Sequence, residues 1–130
     1  MRAPVLKMSL YDDLRNSEIS ISKKDQQHIN AVFSFKKELD LFRGHFPGNP
    51  ILPGIFQIEM VKYAIEKSYG CCLCIKSIKK TKFSSLIHPE KSVYLDIMIN
   101  KKENNQLSVR ATLSVDDAVA GKINLVLTKN

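Results

Sequence analysis

The chain reads as an α+β domain in which a curved antiparallel sheet covers one long central helix. Two observations predict this. From Ile55 to Tyr69 there is neither Pro nor Gly, most positions around the helical circumference are apolar, and Gly70 follows as a stop. The segments after it alternate apolar and polar residues with period two, and short polar turns join them.

Taken in order, Ser9 with Asp12 three residues later reads as the start of a short helix, with Leu10, Tyr11 and Leu14 as its apolar side. Glu18 to Ser22 alternates weakly, as a strand would. Ile29, Ala31, Phe33 and Phe35 share one face of an extended segment whose other face carries Asn30, Ser34 and Lys36. Residues 39 to 54 form an irregular loop. Its prolines at 47, 50 and 53 hold much of the backbone at extended angles. Beyond the central helix, strands are predicted over Leu73 to Phe83, Ser92 to Asn100, Gln106 to Val115 and Ala118 to Thr128. The polar connections Lys101–Asn105 and Asp116-Asp117 make the last three antiparallel neighbours. No internal repeat or linker interrupts the chain.

With 130 residues, the chain suits a single domain, 1–130, with one core. No apolar run approaches the roughly 18 residues that a membrane span requires. The first residues, Met1 to Lys7, lack the apolar core of a signal peptide, so the expected location is the cytoplasm. Twenty Lys and Arg against thirteen acids give a net charge of +7, which favours an anionic partner. The densest basic patch is Lys76, Lys79, Lys80 and Lys82, a candidate docking site that also reads as a solvated sheet face. No arginine-rich helix or aromatic-basic stripe accompanies it, which argues against nucleic acid. Cys71, Cys72 and Cys74 are too close together to bridge one another and lack a second Cys/His pair at metal spacing. Buried cysteines at a strand start are therefore expected, and no metal.

The chemistry concentrates around His45 and Glu59. His45 lies in the densest cluster of Gly and Pro, and at an ordinary pKa near 6.5 it can serve as a base at neutral pH. A helix opening at Gly54–Ile55 presents unsatisfied backbone N–H groups and the positive end of its dipole. Glycine there lets a ligand carbonyl approach closely. Glu59, about one turn inside among Phe56, Ile58, Met60 and Tyr63, is expected to be desolvated and kept protonated as an acid. Such a set fits proton abstraction next to a carbonyl. His28, in a polar run, and His88, before Pro89, are expected to be solvated.

The run Gly44-His45-Phe46-Pro47-x-x-Pro50-x-x-Pro53-Gly54, followed by Glu59, resembles the active-site signature of the (3R)-hydroxyacyl-acyl-carrier-protein dehydratases of fatty-acid synthesis. The order of elements is similar to that family's hotdog fold, an antiparallel sheet wrapped around a central helix, over roughly residues 29 to 128. Lys82-Phe83 and the segment from Val115 to Ala120 are similar too. The resemblance implies that His45 removes the C2 proton of the thioester, that Glu59 protonates the departing 3-hydroxyl, and that the Gly54 N–H holds the carbonyl. It implies an acyl tunnel, with Phe46, Ile55, Phe56, Tyr63 and Phe83 as candidate walls. The implied partner is an acidic acyl carrier protein. The implied assembly is a homodimer, or a trimer of dimers, with His45 and Glu59 of different subunits sharing a site. No cofactor is implied.

Two departures separate the chain from the housekeeping branch of that family. Nothing between Met1 and Asn30 matches its proline-histidine-arginine-tyrosine-proline segment, and Tyr63 replaces the usual glutamine four residues after the acid. They point to an accessory branch, such as the dehydratases that build aryl polyene or flexirubin-type pigments. Glu rather than Asp at position 59 argues against the related enzymes that also isomerise the double bond. The alternatives are a hotdog thioesterase in which Glu59 activates water and a non-catalytic carrier-binding subunit.

Overall fold

A computed structural model describes residues 5–42, 50–101 and 103–129. Helix α1 (Val5–Ser17) runs directly into β1 (Glu18–Asp25), and a tight turn leads to β2 (His28–Ser34). A single 3-10 turn, Asp40–Phe42, precedes the part of the proline loop that holds Gly44, His45, Phe46 and Pro47, which lies outside the described residues. Then come α2 (Gly54–Tyr69), β3 (Leu73–Ile78), β4 (Lys82–Phe83), β5 (Ser92–Lys101), β6 (Gln106–Val115) and β7 (Ala118–Lys129).

All the strand pairs are antiparallel, in the order β1-β2-β5-β6-β7-β3, with β4 also on β7. Register aligns the apolar positions into rows across the sheet. Ile29 pairs with Ile97, Ile97 with Ala111 and Ala111 with Ile123. A second row runs Ala31, Leu95, Leu113. These residues are at most 3% exposed, and α2 packs its Phe56, Ile58, Met60, Val61, Ala64 and Ile65 into the same core. A slip of one residue in any pair would turn a whole row outward, so burial itself fixes the register. Asn104, Asn105, Asp116 and Asp117 all adopt positive φ at the two hairpin turns, a conformation that Asn and Asp tolerate.

The central helix and the last three strands fall where alternation and punctuation place them. Elsewhere the structure differs. Helix α1 starts at Val5 rather than Ser9, since Leu6, Lys7 and Met8 are good helix formers and extend it upstream. The stretch expected as one strand from Leu73 to Phe83 is two. β3 pairs with the end of β7, β4 with Gly121 and Lys122, and Asn124 clamps the break by donating from Nδ2 to Lys80 O (2.5 Å).

Two further expectations are corrected. Cys72 and Cys74 are exposed and Cys71 is half-buried: Cys71 and Cys72 precede β3, and Cys74 lies on the outward face of that edge strand. His28, expected to be solvated, follows an exposed run but departs from it. It opens β2, is half-buried and pairs with Asp96 on β5. His88 is exposed as expected and donates from Nδ1 to Pro50 O (3.2 Å). Among the described residues no helix is long and apolar enough to cross a membrane.

Candidate active site

The loop returns to the described structure at Pro50 already anchored. Leu52 N–H donates to Ile87 O at 2.7 Å, and His88 holds Pro50. Pro53 then occupies the N-cap of α2 at extended angles, with no side-chain cap hydrogen bond. The first-turn N–H groups of Gly54, Ile55 and Phe56 are therefore left uncapped by a side chain. Gly54 faces Phe83. A Cβ built on Gly54 would lie 2.8 Å from the ring's Cε2, so a larger residue there would have to displace the ring from the helix start. Gly121, opposite Phe83 on β7, is similarly tight, with Lys82 O 3.3 Å from a Cβ built there. Gln57 braces the turn from below. Its Nε2 donates to Leu52 O (3.1 Å), and its buried Oε1 has no partner among the described residues.

Glu59 follows one turn later. Its side chain is 21% exposed, and its Oε2 lies 3.5 Å from the Nζ of Lys62. This ion pair is the main departure from the expected apolar surroundings. Lys62 is almost fully buried and is held on every side. It donates to the Tyr11 hydroxyl (2.7 Å) and to Leu73 O (3.4 Å), and Glu66 Oε2 lies at 3.7 Å. The Tyr11 hydroxyl in turn donates to Glu66 Oε1 (3.3 Å), and Glu66 Oε2 accepts from Leu73 N–H (2.8 Å). Burial alone would pull the Lys62 ammonium down. The Tyr11 hydrogen bond and the carboxylates of Glu59 and Glu66 outweigh it and hold its pKa above the ordinary lysine value, so Lys62 is a cation at all physiological pH values.

The structure brings some of the predicted site residues together and separates others. Gly54 and Phe83 meet at the start of α2, where Ile55 (63%) and Phe83 (46%) are exposed, whereas Glu59 lies further along the helix against Lys62. Phe56 is in the core, edge-on to Phe35 at 5.5 Å. Tyr63 is in the core as well, against Phe33 and Tyr11, and its hydroxyl donates to Glu18 (2.8 Å). It borders a cavity of about 460 Å³ at the far end of α2, beside Tyr11, Glu66 and Cys71. That cavity is most of a helix length, on the order of 20 Å, from Gly54. Lys76, Lys79, Lys80 and Lys82 are all exposed along β3, β4 and the turn between them. His45 and Phe46 lie outside the described residues. Lys62 and Gln57 are the polar residues that the sequence reading missed. The signal for Lys62 was the spacing Glu59, Lys62, Glu66 on an otherwise apolar helix, which stacks opposite charges at i,i+3 and i,i+4.

An antiparallel sheet wrapped around a helix that opens at an uncapped glycine, with a carboxylate one turn inside, defines the class as a hotdog-fold protein. The chain belongs to the ApeI-like dehydratase family: the family model, described as ApeI dehydratase, matches residues 21–122. Dehydratases are hydro-lyases. The chain is 32% identical over 131 aligned positions to the 3-hydroxyacyl-acyl-carrier-protein dehydratase FabZ of Levilactobacillus brevis, covering 95% of this chain and 82% of that protein. It is 31% identical to FabZ of Lactobacillus helveticus, over 92% of this chain and 79% of the relative. Among solved structures it is similar to the dehydratase heterocomplex ApeI:P from Xenorhabdus doucetiae. There the TM-score is 0.72 and the identity 27%, over 86% of this chain and 96% of the other.

Proposed function

We propose that this chain converts a (3R)-hydroxyacyl thioester, presented on an acyl carrier protein, to the trans-2-enoyl thioester and water. The observation that carries the reading is the pairing of an uncapped Gly54 helix start with Glu59 one turn along, partly open to solvent. The names of the FabZ relatives supply the substrate class.

In this reading the thioester carbonyl accepts a hydrogen bond from Gly54 N–H at the positive end of α2, which stabilises charge developing on its oxygen. His45 takes the C2 proton, and that bonding pair becomes the C2=C3 double bond. The C3–O bond breaks as the protonated form of Glu59 gives its proton to the hydroxyl, and water leaves. Glu59 is left as a carboxylate and His45 as an imidazolium, and the two return to their starting states by proton exchange. Ile55 and Phe83, apolar, exposed and beside Gly54, are the walls that this chain offers a bound acyl chain, with Phe46, Phe56 and Tyr63 as the further candidates.

The domain, 1–130, acts as one catalytic unit of a homodimer or a trimer of dimers in the cytoplasm. Ile55 and Phe83 are exposed at the start of α2, and Leu86 and Val119 are exposed as well, which supports a second copy completing the site. The missing proline-histidine-arginine-tyrosine-proline segment and Tyr63 in place of the usual glutamine support an accessory, polyene-type pathway. Incubation with 3-hydroxyacyl-carrier protein tests the reading. A 2-enoyl product absorbing in the ultraviolet supports dehydration. Release of the free carrier thiol with no enoyl product means a thioesterase and overturns it.

A further inference from the structure

We infer that Lys62 is a positioning residue for the acid: it holds one oxygen of Glu59 and faces the carboxylate that forms as the proton leaves. The inference rests on the reading of Glu59 as the proton donor. It starts from a cost. A lysine ammonium is seldom buried, because losing its water is expensive unless partners replace it. Here the partners come from three elements: Glu59 and Glu66 on α2, Tyr11 on α1 and Leu73 O on β3. Glu66 is tied in turn to Tyr11 and to Leu73 N–H, so the lower half of the network is closed on itself. Glu59 stands at its open end. It is the more exposed of the two carboxylates, 21% against 13%, and among the described residues no hydrogen bond engages its other oxygen.

The geometry divides the labour. Oε2 of Glu59 faces Lys62, leaving Oε1 for the substrate hydroxyl. When Glu59 gives its proton to the 3-hydroxyl, the negative charge that appears lies about 3.5 Å from a fixed cation in a largely buried setting. Charge developing beside a fixed opposite charge is stabilised in the transition state. The interaction strengthens only as the proton leaves, so loss of the cation lowers kcat and leaves KM nearly unchanged.

The test is the split between kcat and KM on a 3-hydroxyacyl thioester for the wild type, Lys62→Met and Lys62→Arg. We expect Lys62→Met to lower kcat at least tenfold with little change in KM. Lys62→Arg, which keeps the charge, should recover most of kcat. Equal kcat for Met and Arg overturns the inference, because loss of packing alone produces that pattern. A Lys62→Met protein with wild-type kcat, or one whose loss lies in KM, overturns it too. If Lys62→Met does not fold, Lys62→Gln replaces it under the same criteria. Glu59→Gln separates the two ideas: if it keeps turnover, the assignment of Glu59 fails. If it is inactive while kcat ignores Lys62, only the inference fails.

Discussion

Phe83 closes over Gly54 so tightly that a single added methyl group would overlap the ring, at 2.8 Å from Cε2. The contact joins the start of the central helix to the two-residue strand β4, across the edge of the carbonyl subsite that the dehydratase reading assigns to Gly54. Gly54→Ala is predicted to push Phe83 away and to lower kcat/KM at least tenfold. Phe83→Ala removes the obstacle, so the double variant should be more stable than additivity of the two single changes allows. Thermal unfolding of the four proteins in the cycle measures this. Strict additivity would show that the two residues do not press on each other.

The basic strip Lys76, Lys79, Lys80 and Lys82 gives a second prediction. It is exposed along the β3 edge and away from the core, so reversing its charge should spare the fold. Changing Lys79, Lys80 and Lys82 to Glu should raise KM several-fold for the carrier-bound substrate and leave KM for a small thioester unchanged. The wild-type KM on the carrier should also rise with salt, since exposed charges are screened beyond roughly 10 Å at 0.1 M. Equal effects on both substrates would rule out docking at this strip.

Tyr63 carries a pH prediction. Burial raises its phenol pKa well above the ordinary value, and the hydrogen bond to Glu18 adds to this. A folded-state pKa above the unfolded one means that the stability is fully present below about pH 10 and is lost as pH rises from there towards the folded-state value. The wild type should therefore lose Tm more steeply above pH 10 than Tyr63→Phe does. Parallel Tm curves for the two proteins would contradict this.

Gly70 caps α2 at φ 65°, and nothing lies within 4 Å of a Cβ built there. The cost of Gly70→Ala is then the left-handed backbone alone, about 1 kcal/mol, with little change in activity. Chemical denaturation checks it. A loss several times larger would mean a packing role that the open space does not show.

The parts of the fold legible in the sequence are those where burial imposes a period. β5, β6 and β7 alternate because only one face meets the core, and α2 is apolar almost all round because the sheet wraps it. Glu59 and Gly54 were legible for a different reason: a costly carboxylate and a glycine at a helix start stand out against the local pattern. The break between β3 and β4 was not legible, because Asn124 holds it from a strand 44 residues away. Cys74 is exposed because it lies on the outward face of the edge strand β3, and strand order is not a local property. Lys62 was passed over since one lysine in an apolar helix reads as a residue reaching for solvent. Tyr11 and Leu73 keep it inside, and both come from other elements.

The central claim is that His45 and Glu59 divide one dehydration between them. Its most direct test is the rate of enoyl-thioester formation from 3-hydroxyacyl-carrier protein by the wild type, His45→Ala and Glu59→Gln, with circular dichroism confirming that each variant is folded. The account predicts a turning-over wild type and at least a hundredfold loss in either variant, the scale of losing a general acid or base. A folded Glu59→Gln protein that dehydrates at the wild-type rate would contradict it.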